Sequence, residues 1–157
     1  MTASSDKKHS SAIDPDAMRR VEDVIEQLRW TYIREWAPAA IEGLETASRS
    51  LCRAAANGET ACIDANLEAI LRLTHDMKGQ AGTFGLGLLQ DFATSLHHFA
   101  QVDSPSGIRQ AELCQAHVTA MRTALSDVSA HPEGALDTAL EQQLRDSLRK
   151  LARLGFN

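Results

Sequence analysis

The sequence predicts an all-α protein, an antiparallel four-helix bundle with additional N-terminal and C-terminal helices. Three observations carry that reading. Apolar residues recur every three to four positions along almost the whole chain. Aromatic residues make up only 4 % of the 157 residues, a poor supply for a β-sandwich or barrel. Glycine and proline fall mostly between the periodic segments rather than inside them.

The chain opens with MTASSDKKHSSAID. Its two lysines have no apolar run behind them, so it does not read as a secretory leader, and it has almost nothing to bury. Residues 1–14 are therefore expected to form a disordered tail. Met18, Val21, Ile25, Leu28 and Tyr32 then make one stripe of a first helix, expected to be buried, with Asp14 or Asp16 as its cap and Pro15 in its first turn. Pro38 either starts a second helix or kinks a long one; the sequence leaves both open. Ile41, Leu44, Leu51 and Ala55 form the next stripe, which stops at Asn57-Gly58.

A third helix is expected over about residues 62–81, with Ile63, Leu67, Ile70, Thr74, Met77 and Ala81 inward. A fourth starts near Gly85 and buries Leu88, Leu89, Phe92, Leu96 and Phe99. A fifth covers about residues 108–129, and His131-Pro132-Glu133-Gly134 breaks the chain after it. Leu136, Leu140, Leu144, Leu148 and Leu151 line a last helix, whose outer side offers Glu141–Arg145 and Asp146–Lys150 pairs. Trp30 and Trp36 are expected in the core or at helix contacts. The expected layout is a tail over 1–14, a helical bundle over 15–134 and an added helix over 135–157.

The formal charge of -5 speaks against a nucleic-acid partner, which would attract a basic surface. No apolar run approaches the roughly 20 residues that span a bilayer, so no membrane role is expected. Cys52, Cys62 and Cys114 lack metal or disulfide spacing and sit among apolar residues, which suits a reduced, cytoplasmic compartment.

The chemistry lies in Thr74-His75-Asp76-Met77-Lys78-Gly79-Gln80-Ala81-Gly82-Thr83-Phe84-Gly85. On a helix His75 shares a face with Lys78, Gly79 and Gly82, beside the buried stripe, so its ring is expected to reach solvent. Gly79 costs about 1 kcal/mol against alanine in mid-helix, and its bare backbone leaves a notch for another protein. Gly82 and Gly85 have a second reading as the C-cap of the helix. A neutral imidazole is a competent nucleophile, and a lysine one turn away neutralises incoming phosphoryl charge.

This segment resembles the signature of the histidine-containing phosphotransfer (Hpt) family, H-x-x-K-G-x-x-x-x-x-G, with His75, Lys78, Gly79 and Gly85 in register. Gln80 and Gly82 depart from it, since serine and alanine are common there. The resemblance implies a four-helix bundle that takes a phosphoryl group from a receiver-domain aspartate onto Nε2 of His75 and passes it to another receiver. It implies Lys78 as the charge that stabilises the phosphoryl group. Gly79, Gly82, Gly85, Leu71, Arg72 and Gln80 are the expected docking residues, although Arg72 and Gln80 taken alone read as solvated helix residues. No intrinsic cofactor is expected, and Mg²⁺ should arrive with the partner receiver.

Partners should be response-regulator receivers and a hybrid-kinase receiver, with this chain a monomer. No phosphate-binding glycine loop is evident, so neither an ATP site nor autonomous kinase activity is expected. The alternative function is a helical adaptor that binds a receiver without being phosphorylated. His97-His98, His117 and His131 show no pairing at helical spacing and suggest no site of their own.

Overall fold

The computed structural model describes residues 12–102, 107–131, 133 and 135–155. They form α1 (Pro15–Thr31), α2 (Ala37–Asn57), α3 (Thr60–Thr83), α4 (Gly87–Val102), α5 (Ile108–Ala130) and α6 (Thr138–Gly155), with no strand among the described residues. Helices α2 to α5 make the four-helix bundle: α3 packs between α2 and α4, and α5 closes the ring against both. The tail expected over residues 1–14 falls, for residues 1–11, outside the described residues. Asp14 is the cap of α1, its carboxylate accepting the Asp16 N–H at 3.1 Å.

Between α1 and α2 the chain does not break. Tyr32–Trp36 is a π-helical turn, closed by the Ala37 N–H on the Tyr32 carbonyl. Pro38 follows immediately and has no N–H to give to the α-helical ladder, so widening the preceding turn lets the chain carry the proline without a sharp break. The helices on either side end and start by local rules. Gly58 has φ +68° and ends α2 in the left-handed conformation, with the Glu59 N–H returning to the Ala54 carbonyl at 3.0 Å.

The core lies where the stripes of α2 to α5 meet. Ile41, Leu44 and Leu51 from α2 pack with Ile70, Met77 and Ala81 from α3, Phe92 and Leu96 from α4, and Cys114, Val118 and Met121 from α5. The α6 leucines cover an outer face of α4 and α5. Leu144 is buried there, Leu140, Leu148 and Leu151 are half-buried, and so is Leu136, which lies just ahead of α6 rather than on it. Arg145 holds Glu141 at 2.8 Å and reaches Asp91 of α4 at 3.4 Å. Asp146 pairs with Arg149 rather than with the expected Lys150.

Three expectations are corrected. The stripe Met18, Val21, Ile25 and Leu28 is exposed, and no residue of α1 is buried; Tyr32, one turn further, is. Periodicity establishes an apolar face but not what meets it, and α1 projects past the bundle. Trp36 is 47 % exposed because it sits on the outer side of the π turn. Cys62 is exposed on the first turn of α3, whereas Cys114 is buried and its thiol is pushed up to about 12 by burial.

His117 is buried in the core together with Ser48 and Thr74. His117 donates from Nδ1 to the Leu113 carbonyl at 2.8 Å, and its Nε2 meets Ser95 Oγ at 3.0 Å. A carbonyl only accepts, so the ring is held as the Nδ1–H tautomer, with Nε2 accepting from the hydroxyl. Burial holds its pKa below the usual 6.5. The folded state therefore binds the proton less readily than the unfolded chain, and the stability this group contributes is lost as pH falls from about 6.5 downward.

Truncating Leu144 to alanine should cost about 2 kcal/mol or slightly more in urea unfolding, because the site is buried but peripheral. Breaking the exposed Arg145–Asp91 pair should cost under about 1 kcal/mol. Replacing His117 with glutamine should flatten the fall in stability below about pH 6.5; an unchanged slope would contradict the burial account.

Candidate functional site

The rotation of α3 decides what its outer face presents. Ile70, Thr74, Met77 and Ala81 are buried, so the neighbouring row turns outward: His75, Arg72, Gly79 and Gln80 are exposed, and Leu71, Lys78 and Gly82 are intermediate. His75, Lys78 and Gly79 thus share one face of one helix, as the spacing requires. A cavity of about 400 Å³ near the start of α6 is lined by Arg29, Gly85, Leu88, Leu125, Leu136 and Arg145 among others, and His75 is not part of it. The imidazole stands on an open surface rather than in a pocket.

The three glycines differ in what they do for this chain. A Cβ added at Gly79 would meet nothing within 4 Å, so no internal packing demands a glycine there. A Cβ at Gly82 would come within 2.6 Å of the Gln90 amide, so a side chain from α4 fills that space. Gly85 has φ +71° and caps α3: its N–H returns to the Gly82 carbonyl at 3.2 Å, and the Leu86 N–H to the Ala81 carbonyl at 2.9 Å. This pair of bonds is the Schellman arrangement that left-handed glycine permits.

The sequence did not mark His97 as part of a site, yet α4 brings it to His75. Their ring centroids are 6.0 Å apart at a 45° tilt. His97 Nδ1 lies 3.2 Å from the Leu71 carbonyl and 3.0 Å from Thr74 Oγ1. Because the carbonyl can only accept, Nδ1 carries the proton. The Thr74 hydroxyl gives its own hydrogen to the Ile70 carbonyl at 2.7 Å and can accept from His97. The α3 backbone thereby fixes the His97 ring beside His75. Partial burial pulls the His97 pKa down, helped by the Lys78 charge, with smaller effects from His75 and His98, while the Leu71 hydrogen bond opposes the shift. Lys78, His75 and His97 therefore form one electrostatic group. The signal was present in the sequence as a histidine on the helix after the phosphoacceptor candidate, but only the helix pairing shows that they meet.

A family model for the Hpt domain matches residues 30–131. The chain belongs to the Hpt domain family. No curated protein and no solved structure matches it. Hpt domains act in phosphotransfer within two-component and phosphorelay signalling, and they interact with receiver domains. The matched span covers α2 to α5, including His75 and His97, and leaves most of α1 and all of α6 outside it.

The glycines give a paired stability test. Gly79→Ala should raise stability by up to about 1 kcal/mol, since the helix gains propensity and nothing clashes. Gly85→Ala should lower it by about 1 kcal/mol, because alanine is strained at positive φ. Thermal or urea unfolding reads both signs.

Proposed function

We propose that this Hpt protein carries a phosphoryl group on His75, taken from a receiver-domain aspartyl phosphate and passed to a second receiver. The observation that carries the reading is the exposed His75 imidazole with Lys78 and the unfilled backbone of Gly79 on the same helical face. In the forward step, Nε2 of a neutral His75 attacks phosphorus. A P–N bond forms, the P–O bond to the aspartate breaks, and the carboxylate leaves with the bonding pair. The reverse of these bond changes delivers the group to the next receiver.

Lys78 balances the charge that the phosphoryl group brings to the surface. Gly79 allows the receiver backbone to come close, and Arg72, Gln80 and the half-buried Leu71 surround the approach. Gly82 and Gly85 contribute mainly by shaping the end of α3, one under Gln90 and the other as its cap. The receiver supplies its acidic pocket and Mg²⁺, so this chain needs only to present a nucleophile and a complementary surface. A cytoplasmic location fits such partners.

The test is to mix a phosphorylated receiver with the purified protein and follow acid-labile label. His75→Gln should abolish label while helical circular dichroism stays unchanged. Lys78→Ala should slow transfer by about tenfold, a rise of about 1.4 kcal/mol in the barrier. Receiver binding with no label on the wild-type protein would instead support an adaptor that is never phosphorylated.

A further inference from the structure

The imidazoles of His75 and His97 meet across the seam between α3 and α4, with ring centroids 6.0 Å apart. The proposed phosphoryl transfer uses the first ring and leaves the second without a task. His97 is anchored, and both of its hydrogen bonds, to the Leu71 carbonyl and to Thr74 Oγ1, are made at Nδ1. A carbonyl only accepts, so the neutral ring carries its proton on Nδ1 and its lone pair on Nε2. A histidine held by Nδ1–H on a backbone carbonyl, with Nε2 left as the donor atom, is oriented as metal-ligating histidines are.

The separation suits one ion between two rings. With Zn–N bonds of about 2.0–2.1 Å, a ring centroid lies roughly 3.2 Å from the metal, so two rings on a tetrahedral ion stand about 5.2 Å apart. His75 is exposed, and a small rotation of its side chain makes up the difference. Imidazole donors suit zinc and its first-row neighbours, whereas magnesium takes oxygen ligands. Among the described residues no group of three or more His, Cys, Asp or Glu side chains could hold a metal. Water would therefore complete the coordination shell, and Lys78, one turn from His75, adds a like charge. Both features make the site weak and exchangeable.

We propose that His75 and His97 together bind one divalent zinc-type ion, and that this ion competes with the phosphoryl group for His75. The binding stands on the geometry of the two rings; the competition also rests on the phosphoryl-carrier reading. Coordination takes up the lone pair with which His75 attacks phosphorus, so a loaded site cannot accept the group. The ion is an inhibitor and takes no part in the bond changes of the transfer.

Zinc sulfate titrated into the purified full chain, followed through the imidazole ¹⁵N resonances, tests the binding without any receiver. The His75 and His97 rings should shift together with one midpoint, and magnesium should move neither. His75→Gln and His97→Gln should each weaken zinc uptake at the remaining ring by about tenfold or more. Cys62→Ser, which removes an exposed thiol on the first turn of α3, should change nothing. The binding is overturned if neither ring responds at about 1 mM zinc, where a Kd that weak would half-fill the site. Uptake at His75 that keeps its strength in His97→Gln, or that disappears in Cys62→Ser, would overturn it as well. In the transfer assay, zinc that fills about nine-tenths of the wild-type site should slow labelling about tenfold, and slow His97→Gln by under about twofold against its own zinc-free rate. Equal slowing of both proteins would place the effect on the receiver and overturn the competition. A chain that binds zinc through both rings but takes no label with or without it would refute the carrier reading and leave the metal site standing.

Discussion

The rotational setting of α3 governs the molecule. A helix has one stripe to bury, and α3 buries Ile70, Thr74, Met77 and Ala81 between α2 and α4. Turning that stripe inward forces the next row out, and His75 is on it. Rotating α3 by one residue would bury the imidazole and expose threonine or methionine in its place, losing core packing worth several kcal/mol. The exposure of His75 is therefore a consequence of the core, and it is held by every contact the stripe makes. Thr74 ties the two sides together: its hydroxyl is satisfied inside the helix by the Ile70 carbonyl and touches His97 across the seam with α4.

An imidazole placed this way would be incomplete as a catalyst on its own. It lies on a convex surface with one cation beside it and a second imidazole fixed behind it, and nothing in that arrangement encloses a small substrate. Catalysis of phosphoryl transfer depends on positioning and charge stabilisation, and under the proposed function most of both would come from the receiver. The open backbone at Gly79 makes physical sense in those terms, since a glycine that helps no internal packing and weakens its own helix needs an external reason.

Much of this was legible in the sequence, and the failures are instructive. The stripes of α2 to α6 could be read because each helix has an apolar face and the bundle supplies a neighbour for it. The stripe of α1 was equally clear, yet its burial was not, because amphipathicity specifies a face without specifying the surface that meets it. The π turn at Tyr32–Trp36 has no periodic signature and follows from one missing N–H at Pro38. His75, Lys78 and Gly79 were visible because local helix geometry alone groups them. His97 was not, because its place depends on how α3 and α4 pair, and a search for histidines at helical spacing cannot see across a seam. Gly82 and Gly85 separate only in three dimensions, where one lies under Gln90 and the other takes φ +71°.

The chain has six histidines, and the proposed function places the phosphoryl group on one of them. The most direct measurement is nuclear magnetic resonance of protein labelled with ¹⁵N in its imidazoles, after equilibration with a phosphorylated receiver. A single ring should acquire coupling to ³¹P, at Nε2 of His75. Coupling that appears on His97 or any other histidine, or on none while the receiver loses its phosphate to this chain, would contradict it.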